Sequence, residues 1–301
     1  MSASGERGGF RVAMHNWMRA EPIEATIRRL ARFGYDAIEI SGEPDQYDTD
    51  AVRRLLDQHG VRCWGAVTLM TEGRDLIHAD RYVRLGTIQY MRDCLSMIHA
   101  LGGEIFCVVP STVGKIVPMA SPEAEWRWGV EGLRAVGEFA GERGVRIGIE
   151  PLNRFETNFI NRGDQALRLA QEVNLPNVGI TLDAFHINIE EADPIGAIRA
   201  AKGKLVDFHV ADNNRRPPGE GNLDWRALLS ALREIGYDGC LTSEFVLPID
   251  RTPLGEQIAD EGAEVSAAQE KFLRDHASAS ISESYYDRCV EGTIQFLRSV
   301  S

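Results

Sequence analysis

Short apolar runs of five to seven residues alternate along the chain with longer stretches whose apolar positions recur at helical spacing, the pattern that βα units leave in a sequence. Eight runs read as strands: Phe10–Met14, Asp36–Ile40, Arg62–Thr68, Ile105–Val109, Arg146–Glu150, Val178–Asp183, Leu205–Val210 and Cys240–Glu244. Each is almost continuously apolar, as a strand is when helices cover one side of the sheet and other strands the opposite side. Helical patterns fall at Pro22–Phe33, Arg81–Leu101, Pro122–Arg143, Asp164–Val173 and Trp225–Ile235, with a last one at Glu283–Arg298. Several carry end signals. Ser121 precedes Pro122 with Glu123 and Glu125 in the first turn, where a hydroxyl cap and acidic charge satisfy the exposed N–H groups. Gly34, Gly60, Gly144 and Gly236 stand where helices need a left-handed closing residue, and a strand follows each.

Eight such units with no Pro- or Ser-rich linker predict an α/β fold: one closed (β/α)₈ TIM barrel spanning residues 1–301 as a single domain. Residues 1–9 read as a flexible tail and 247–278 as a long excursion after the eighth strand. The last helix then closes the barrel. The rival, a doubly wound open sheet, usually carries a phosphate-binding glycine loop, and neither GxGxxG nor GxxxxGK[ST] occurs.

Charge narrows the partners. Lys plus Arg number 33 and Asp plus Glu 45, so the net charge is −12, which repels phosphate backbones and argues against nucleic acid. The five cysteines form no CxxC pair, as expected of buried thiols in a reducing compartment. MSASGERGG has no apolar signal core, and no apolar run approaches the roughly 20 residues of a membrane span. A cytoplasmic protein with no membrane contact is the expectation.

Active sites of such barrels lie at the C-terminal ends of the strands. Four consecutive strands end in a possible metal ligand: Glu150, Asp183, His209 and Glu244. Any one acid could be a helix cap or a solvated loop group, and a lone strand histidine is usually structural. Strand ends about 4.8 Å apart, however, bring four ligand-type residues towards one ion. Three carboxylates and one imidazole suit Mn²⁺, Mg²⁺ or Co²⁺, and suit zinc less without a thiolate.

Four segments carry a family resemblance: Glu150-Pro-Leu-Asn-Arg-Phe-Glu156, Leu182-Asp183-Ala-Phe-His186-Ile-Asn-Ile-Glu190, His209 through Gly221, and Ser243-Glu244-Phe245. Together they resemble the sugar isomerase/epimerase superfamily of xylose isomerase-like barrels, and most closely the ketose 3-epimerases of the D-tagatose and D-psicose type. The resemblance implies that Glu150, Asp183, His209 and Glu244 hold a divalent ion, usually Mn²⁺. It also implies that Glu150 and Glu244 are the acid/base pair on the two faces of the reacting carbon, working through an enediolate. Glu156, His186 and Arg215 match residues that hold the O1 to O3 region of a ketose. The bottom-up reading leaves Glu156 free to pair with Arg154 instead, His186 to orient Asp183, and Arg215 to face solvent like its neighbour Arg216. Phe245, directly after Glu244, is the candidate pocket wall; Trp64 reads as core, with His15 and Trp17 near the mouth.

The sequence also departs from that pattern. Asp212 stands where a Glu is common, Ser243-Glu244-Phe245 replaces Glu-Pro-Phe, and the loops HNWMRAEP and VVPSTVGKIVP do not resemble the epimerases' sugar-tail pocket. These departures leave the substrate open between a free sugar and a glycoside. The alternative is a lyase: the α subunit of a C-glycoside deglycosidase, which abstracts a proton from a 3-oxo-sugar, eliminates an aglycone and works with a small β-sandwich partner. A hydroxypyruvate isomerase or another keto-sugar isomerase or dehydratase is a further relative. Endonuclease IV shares the barrel, but a DNA enzyme of that kind needs a multi-zinc, His-rich cluster and a basic face. Homo-oligomers are common in the resembled family and are expected here.

Overall fold

The eight apolar runs form eight parallel strands in the computed structural model, which describes residues 9–247 and 281–301. They are β1 (Arg11–His15), β2 (Ala37–Ser41), β3 (Arg62–Val67), β4 (Ile105–Val108), β5 (Arg146–Ile149), β6 (Val178–Asp183), β7 (Leu205–Val210) and β8 (Cys240–Ser243). Each pairs with the next in parallel, and β1 closes onto β8 through Arg11↔Cys240 and Ala13↔Thr242. The proposed excursion at 247–278 and the tail at 1–9 lie outside the described residues, apart from Leu247 and Gly9.

Nine α-helices lie among the described residues: α1 (Ile23–Phe33), α2 (Thr49–His59), α3 (Arg81–Leu101), α4 (Pro122–Gly141), α5 (Gly163–Val173), α6 (Ala184–Glu190), α7 (Pro194–Ala200), α8 (Trp225–Glu234) and α9 (Glu283–Val300). Their ends follow the local chemistry. Ser121 Oγ accepts from Ala124 N at 3.3 Å to start α4, and Gly34 and Gly60 close α1 and α2 at φ +80° and +66°. Helices α6 and α7, seven residues each, are too short to show a readable period.

Two register shifts set what the barrel interior holds. One falls between Ile38 and Glu39 on β2 against β3 and leaves Trp64 as the extra residue; the other falls between Ile180 and Thr181 and leaves Val206 extra on β7. Gly65 and Gly179 adjoin these shifts because a Cβ there would collide with the carbonyl oxygens of Ile105 and Lys204. Ala13, Ala37, Trp64, Ile105, Val206 and Cys240 form a separate apolar cluster that fills the base of the barrel. Above it Glu39, Asp207, His15 and His209 are fully buried. A polar layer at that depth departs from the branched apolar layers typical of such barrels.

Candidate metal centre

Strand alternation and short loops deliver the four strand-end residues to one place. Donor atoms of Glu150, Asp183, His209 and Glu244 all lie within 4.8 Å of one another, and all four side chains are buried. His209 Nδ1 is 3.1 Å from Glu150 Oε1 and 3.2 Å from Glu244 Oε2. Asp183 divides its two oxygens. Oδ1 accepts from Phe185 N at 2.6 Å and so caps α6, while Oδ2 faces the cluster, where Arg215 Nη1 donates to it. One carboxylate therefore both caps the helix and faces the cluster.

The electrostatics of this group would favour a cation. Burial pushes the Asp183 carboxyl well above its ordinary range against the pull of Arg215, and Glu244 and Glu150 push it further. Burial also opposes ionisation of Glu244, but Arg215, His209 and His15 outweigh it and hold that carboxyl well below its usual value. Burial disfavours the His209 cation, yet Glu150 and Glu244 raise it well above an ordinary imidazole. Three acids in one dry spot thus lean on Arg215 and on a proton at His209 for compensation. A divalent ion would replace that proton with two charges, and the hard-oxygen donor set fits such an ion.

Beneath these four residues lies a support that strand patterning did not single out. His209 Nε2 stands 3.2 Å from Asp207 Oδ2 and 3.5 Å from Glu39 Oε2. Asp207 Oδ1 accepts from Trp64 Nε1 at 3.1 Å and from the Tyr237 and Thr242 hydroxyls at 3.2 Å. Fixed in this way, Asp207 faces the second ring nitrogen of His209 and leaves Nδ1 for the cluster. Burial and Asp207 push the Glu39 carboxyl well above its ordinary range. The signal in the sequence is an acid inside an apolar strand, at AIEIS and LVDFHV.

The remaining candidate residues separate clearly. Arg215 turns inward, donating to Asp183 and, at 3.0 Å, to Glu244 Oε2, with its guanidinium 4.8 Å over the Phe185 ring; Arg216 turns away to Glu220 at 2.6 Å. His186 is buried and accepts at Nδ1 from Asn153 N at 3.3 Å, with Nε2 4.0 Å from Asp183 Oδ2. Glu156 accepts from Asn153 Nδ2 at 2.7 Å, and Arg154 pairs with Glu190 at 2.8 Å, so the Arg154–Glu156 pair does not form. Phe245 stands apart from the cluster: its ring has no exposed surface and packs 6.0 Å from Tyr286, as consecutive residues of an extended segment point to opposite sides and Glu244 takes the inward one.

Asp212 explains how Arg215 is held. Arg215 has φ +60°, a conformation that costs a non-glycine residue about 1 kcal/mol or more. Asp212 fastens the loop by accepting four hydrogen bonds: Oδ1 from Asn213 N at 2.9 Å and Leu223 N at 3.2 Å, Oδ2 from Gly219 N and Trp225 Nε1 at 2.9 Å. An amide cannot replace it, since one oxygen would become an NH₂ facing two donors. Asp212→Asn is expected to lower stability by about 2–6 kcal/mol, at about 1–3 kcal/mol for each of the two donors left unpaired, as read from the denaturant midpoint at pH 7. Burial opposes ionisation of Asp212, but the Trp225, Asn213, Leu223 and Gly219 N–H groups outweigh it and depress its carboxyl. A depressed carboxyl contributes stability above its unfolded value, about 3.9, and loses it as pH falls through the folded value. The gap between Asp212→Asn and wild type therefore narrows below about pH 4.

With this geometry in view, the likenesses to known proteins become informative. Residues 27–269 match the xylose isomerase-like TIM barrel family. The L-ribulose 3-epimerase of Methylomonas sp. (strain DH-1) is 31% identical over 241 residues, which cover 79% of this chain and 84% of that protein. The 3-dehydro-D-guloside 4-epimerase of Escherichia coli (strain K12) is 30% identical over 233 residues, covering 74% and 87%. The crystal structure of D-allulose 3-epimerase from Methylomonas sp. in complex with D-allulose superposes with a TM-score of 0.82 at 25% identity, covering 97% of this chain and 98% of that one.

Proposed function

Since the chain belongs to the xylose isomerase-like TIM barrel family and is an enzyme of the isomerase class, we propose that it is a divalent-metal-dependent ketose 3-epimerase. The observation that carries the reading is the convergence of Glu150, Asp183, His209 and Glu244 within 4.8 Å, with Arg215 reaching two of them. The four would hold Mn²⁺, or Mg²⁺ or Co²⁺. When bound, the ion acts as a Lewis acid for the carbonyl of the substrate.

The chain's own groups do the rest. Glu150 removes a proton from one face of the carbon beside the carbonyl and Glu244 returns one to the other, the roles exchanging in the reverse reaction. Arg215, neutralised in part by Asp183 and Glu244, holds substrate oxygens and balances the negative charge that grows as the proton leaves. His186 and Glu156, both anchored on Asn153, complete the grip on the carbonyl end of the sugar. We place the enzyme in the cytoplasm, where its five buried free thiols stay reduced. No helix among the described residues is long and apolar enough to cross a membrane. The test is incubation of Mn²⁺-loaded protein with D-fructose, D-psicose and D-tagatose, followed by chromatography of the sugars. An epimer at C3 of at least one is expected; no epimer from any of them would remove the ketose reading.

A further inference from the structure

Inside the barrel a carboxyl, a thiol and an imidazole from three different strands face one another. Donor atoms of Glu39 on β2, Cys107 on β4 and His209 on β7 all lie within 4.8 Å of one another, and the three side chains are wholly buried. Glu39 and Cys107 take no part in the reaction sketched above. His209 is shared: Nδ1 faces Glu150 and Glu244, while Nε2 stands 3.5 Å from Glu39 Oε2. Among the described residues neither oxygen of Glu39 nor His209 Nε2 makes a hydrogen bond; Asp207 Oδ2, 3.2 Å from Nε2, lies off the direction of the ring N–H. Buried polar atoms are nearly always satisfied by a protein group, a water or an ion, so unpaired atoms of two side chains facing a thiol point to a ligand between them.

The donors select that ligand. One sulfur, one nitrogen and one oxygen form a set that zinc takes in tetrahedral sites, whereas Mn²⁺ and Mg²⁺ prefer oxygen. Bonds of about 2.3 Å to sulfur and about 2.0–2.2 Å to nitrogen and oxygen set tetrahedral donors about 3.4–3.6 Å apart. The Glu39–His209 pair already has that spacing, at 3.5 Å. We propose that Glu39, Cys107 and His209 form a second cation site, for Zn²⁺, and that Zn²⁺ there antagonises the ion held by Glu150, Asp183, His209 and Glu244. The thiol proton leaves to solvent as the Zn–S bond forms, a step that the harder Mn²⁺ and Mg²⁺ do not drive. Antagonism follows from the shared histidine, because a neutral imidazole offers one lone pair and cannot serve both ions. Cys107 adds to it: as a ligand it gives up the hydrogen bond it donates to Glu150 Oε2 at 3.3 Å. By reciprocity, an ion among the four residues weakens Zn²⁺ in the second site by the same factor. The antagonism rests on the metal-dependent reading of the four residues; the second site does not.

Zn²⁺ is spectroscopically silent, so Cd²⁺ is the probe. Titration of the chelated protein with Cd²⁺ should raise an ultraviolet thiolate-to-cadmium charge-transfer band that saturates at one equivalent. Cys107→Ser should abolish the band, and Glu39→Gln should weaken Cd²⁺ binding at least tenfold by calorimetry. Circular dichroism and melting temperature check each fold, and Cys107→Ala replaces the serine variant if that one does not fold. No band in the wild type, or a band unchanged in a folded Cys107 variant, overturns the second site. Saturating Mn²⁺ should then raise the apparent Cd²⁺ dissociation constant at least tenfold, with elemental analysis finding one ion per chain. One Mn²⁺ and one Cd²⁺ bound together, with the band at full strength, overturns the antagonism. In turnover of D-psicose, Zn²⁺ should inhibit the Mn²⁺-loaded enzyme, excess Mn²⁺ should relieve the inhibition, and Cys107→Ser should raise the inhibition constant at least tenfold. The Cd²⁺ measurements use no substrate, so the second site stands or falls on them even if no ketose is epimerised and the epimerase reading fails.

Discussion

Glu150→Gln is expected to cut epimerisation about 10²- to 10⁴-fold at saturating metal, the range that one positioned proton-transfer group contributes. The substitution keeps the shape and one oxygen, so the barrel folds, but it removes the base. The stronger reading is isotopic. With Glu150 lost and Glu244 retained, a proton can still be taken from one face of the reacting carbon, so in D₂O one epimer should exchange that hydrogen for deuterium without being converted. Glu244→Gln should exchange only the other epimer. Calorimetric metal titration of each variant separates loss of base from loss of ligand, since glutamine remains a weak oxygen donor. Glu150→Gln activity within tenfold of wild type, or exchange of both epimers in both variants, would overturn the two-carboxylate assignment.

Much of this site was legible because it lies where chain periodicity ends. The strands begin and end within a residue of the runs read from the sequence, so Asp183 and His209 fall inside β6 and β7, and Glu150 and Glu244 just beyond β5 and β8. In the fold Arg215 turns towards Asp183 and Arg216 towards Glu220, a difference that spacing alone does not carry. What stayed hidden depends on contacts between distant segments. Trp64 reads as core and is core, but its indole N–H reaches Asp207, 143 residues on, and the register shift that turns it inward has no local signature. Asp212 looked like a departure from pattern; its donors at Gly219, Leu223 and Trp225 become visible only once the loop is closed. Helix α2 entered only through its closing Gly60, since its moderately polar sequence TDAVRRLLDQH buries just Val52 and Leu56.

Metal removal is expected to have the other large effect. Chelation followed by dialysis should lower activity at least about 10²-fold, because the buried acids at Glu150, Asp183 and Glu244 then face each other with only Arg215 and His209 against them. Readdition at about 100 times the dissociation constant should restore activity and stabilise the fold by about 2.7 kcal/mol, seen as a higher melting temperature. The sign with pH follows from the site: burial raises Asp183, and Glu150 and Glu244 raise His209, so the metal-free protein carries protons that binding must expel. Affinity therefore weakens as pH falls, and titration in weak buffer should release protons. The thiol of Cys107, 3.3 Å from Glu150 Oε2, does not alter the choice of ion, because burial and Glu150 push it well above its ordinary value and keep it protonated. Without a thiolate, the oxygen-rich set ranks Mn²⁺, Mg²⁺ and Co²⁺ ahead of Zn²⁺ in restoring turnover. A chelated protein shown metal-free by elemental analysis yet retaining full turnover would refute the metal-dependent mechanism and leave the four-residue cluster as a structural ion network.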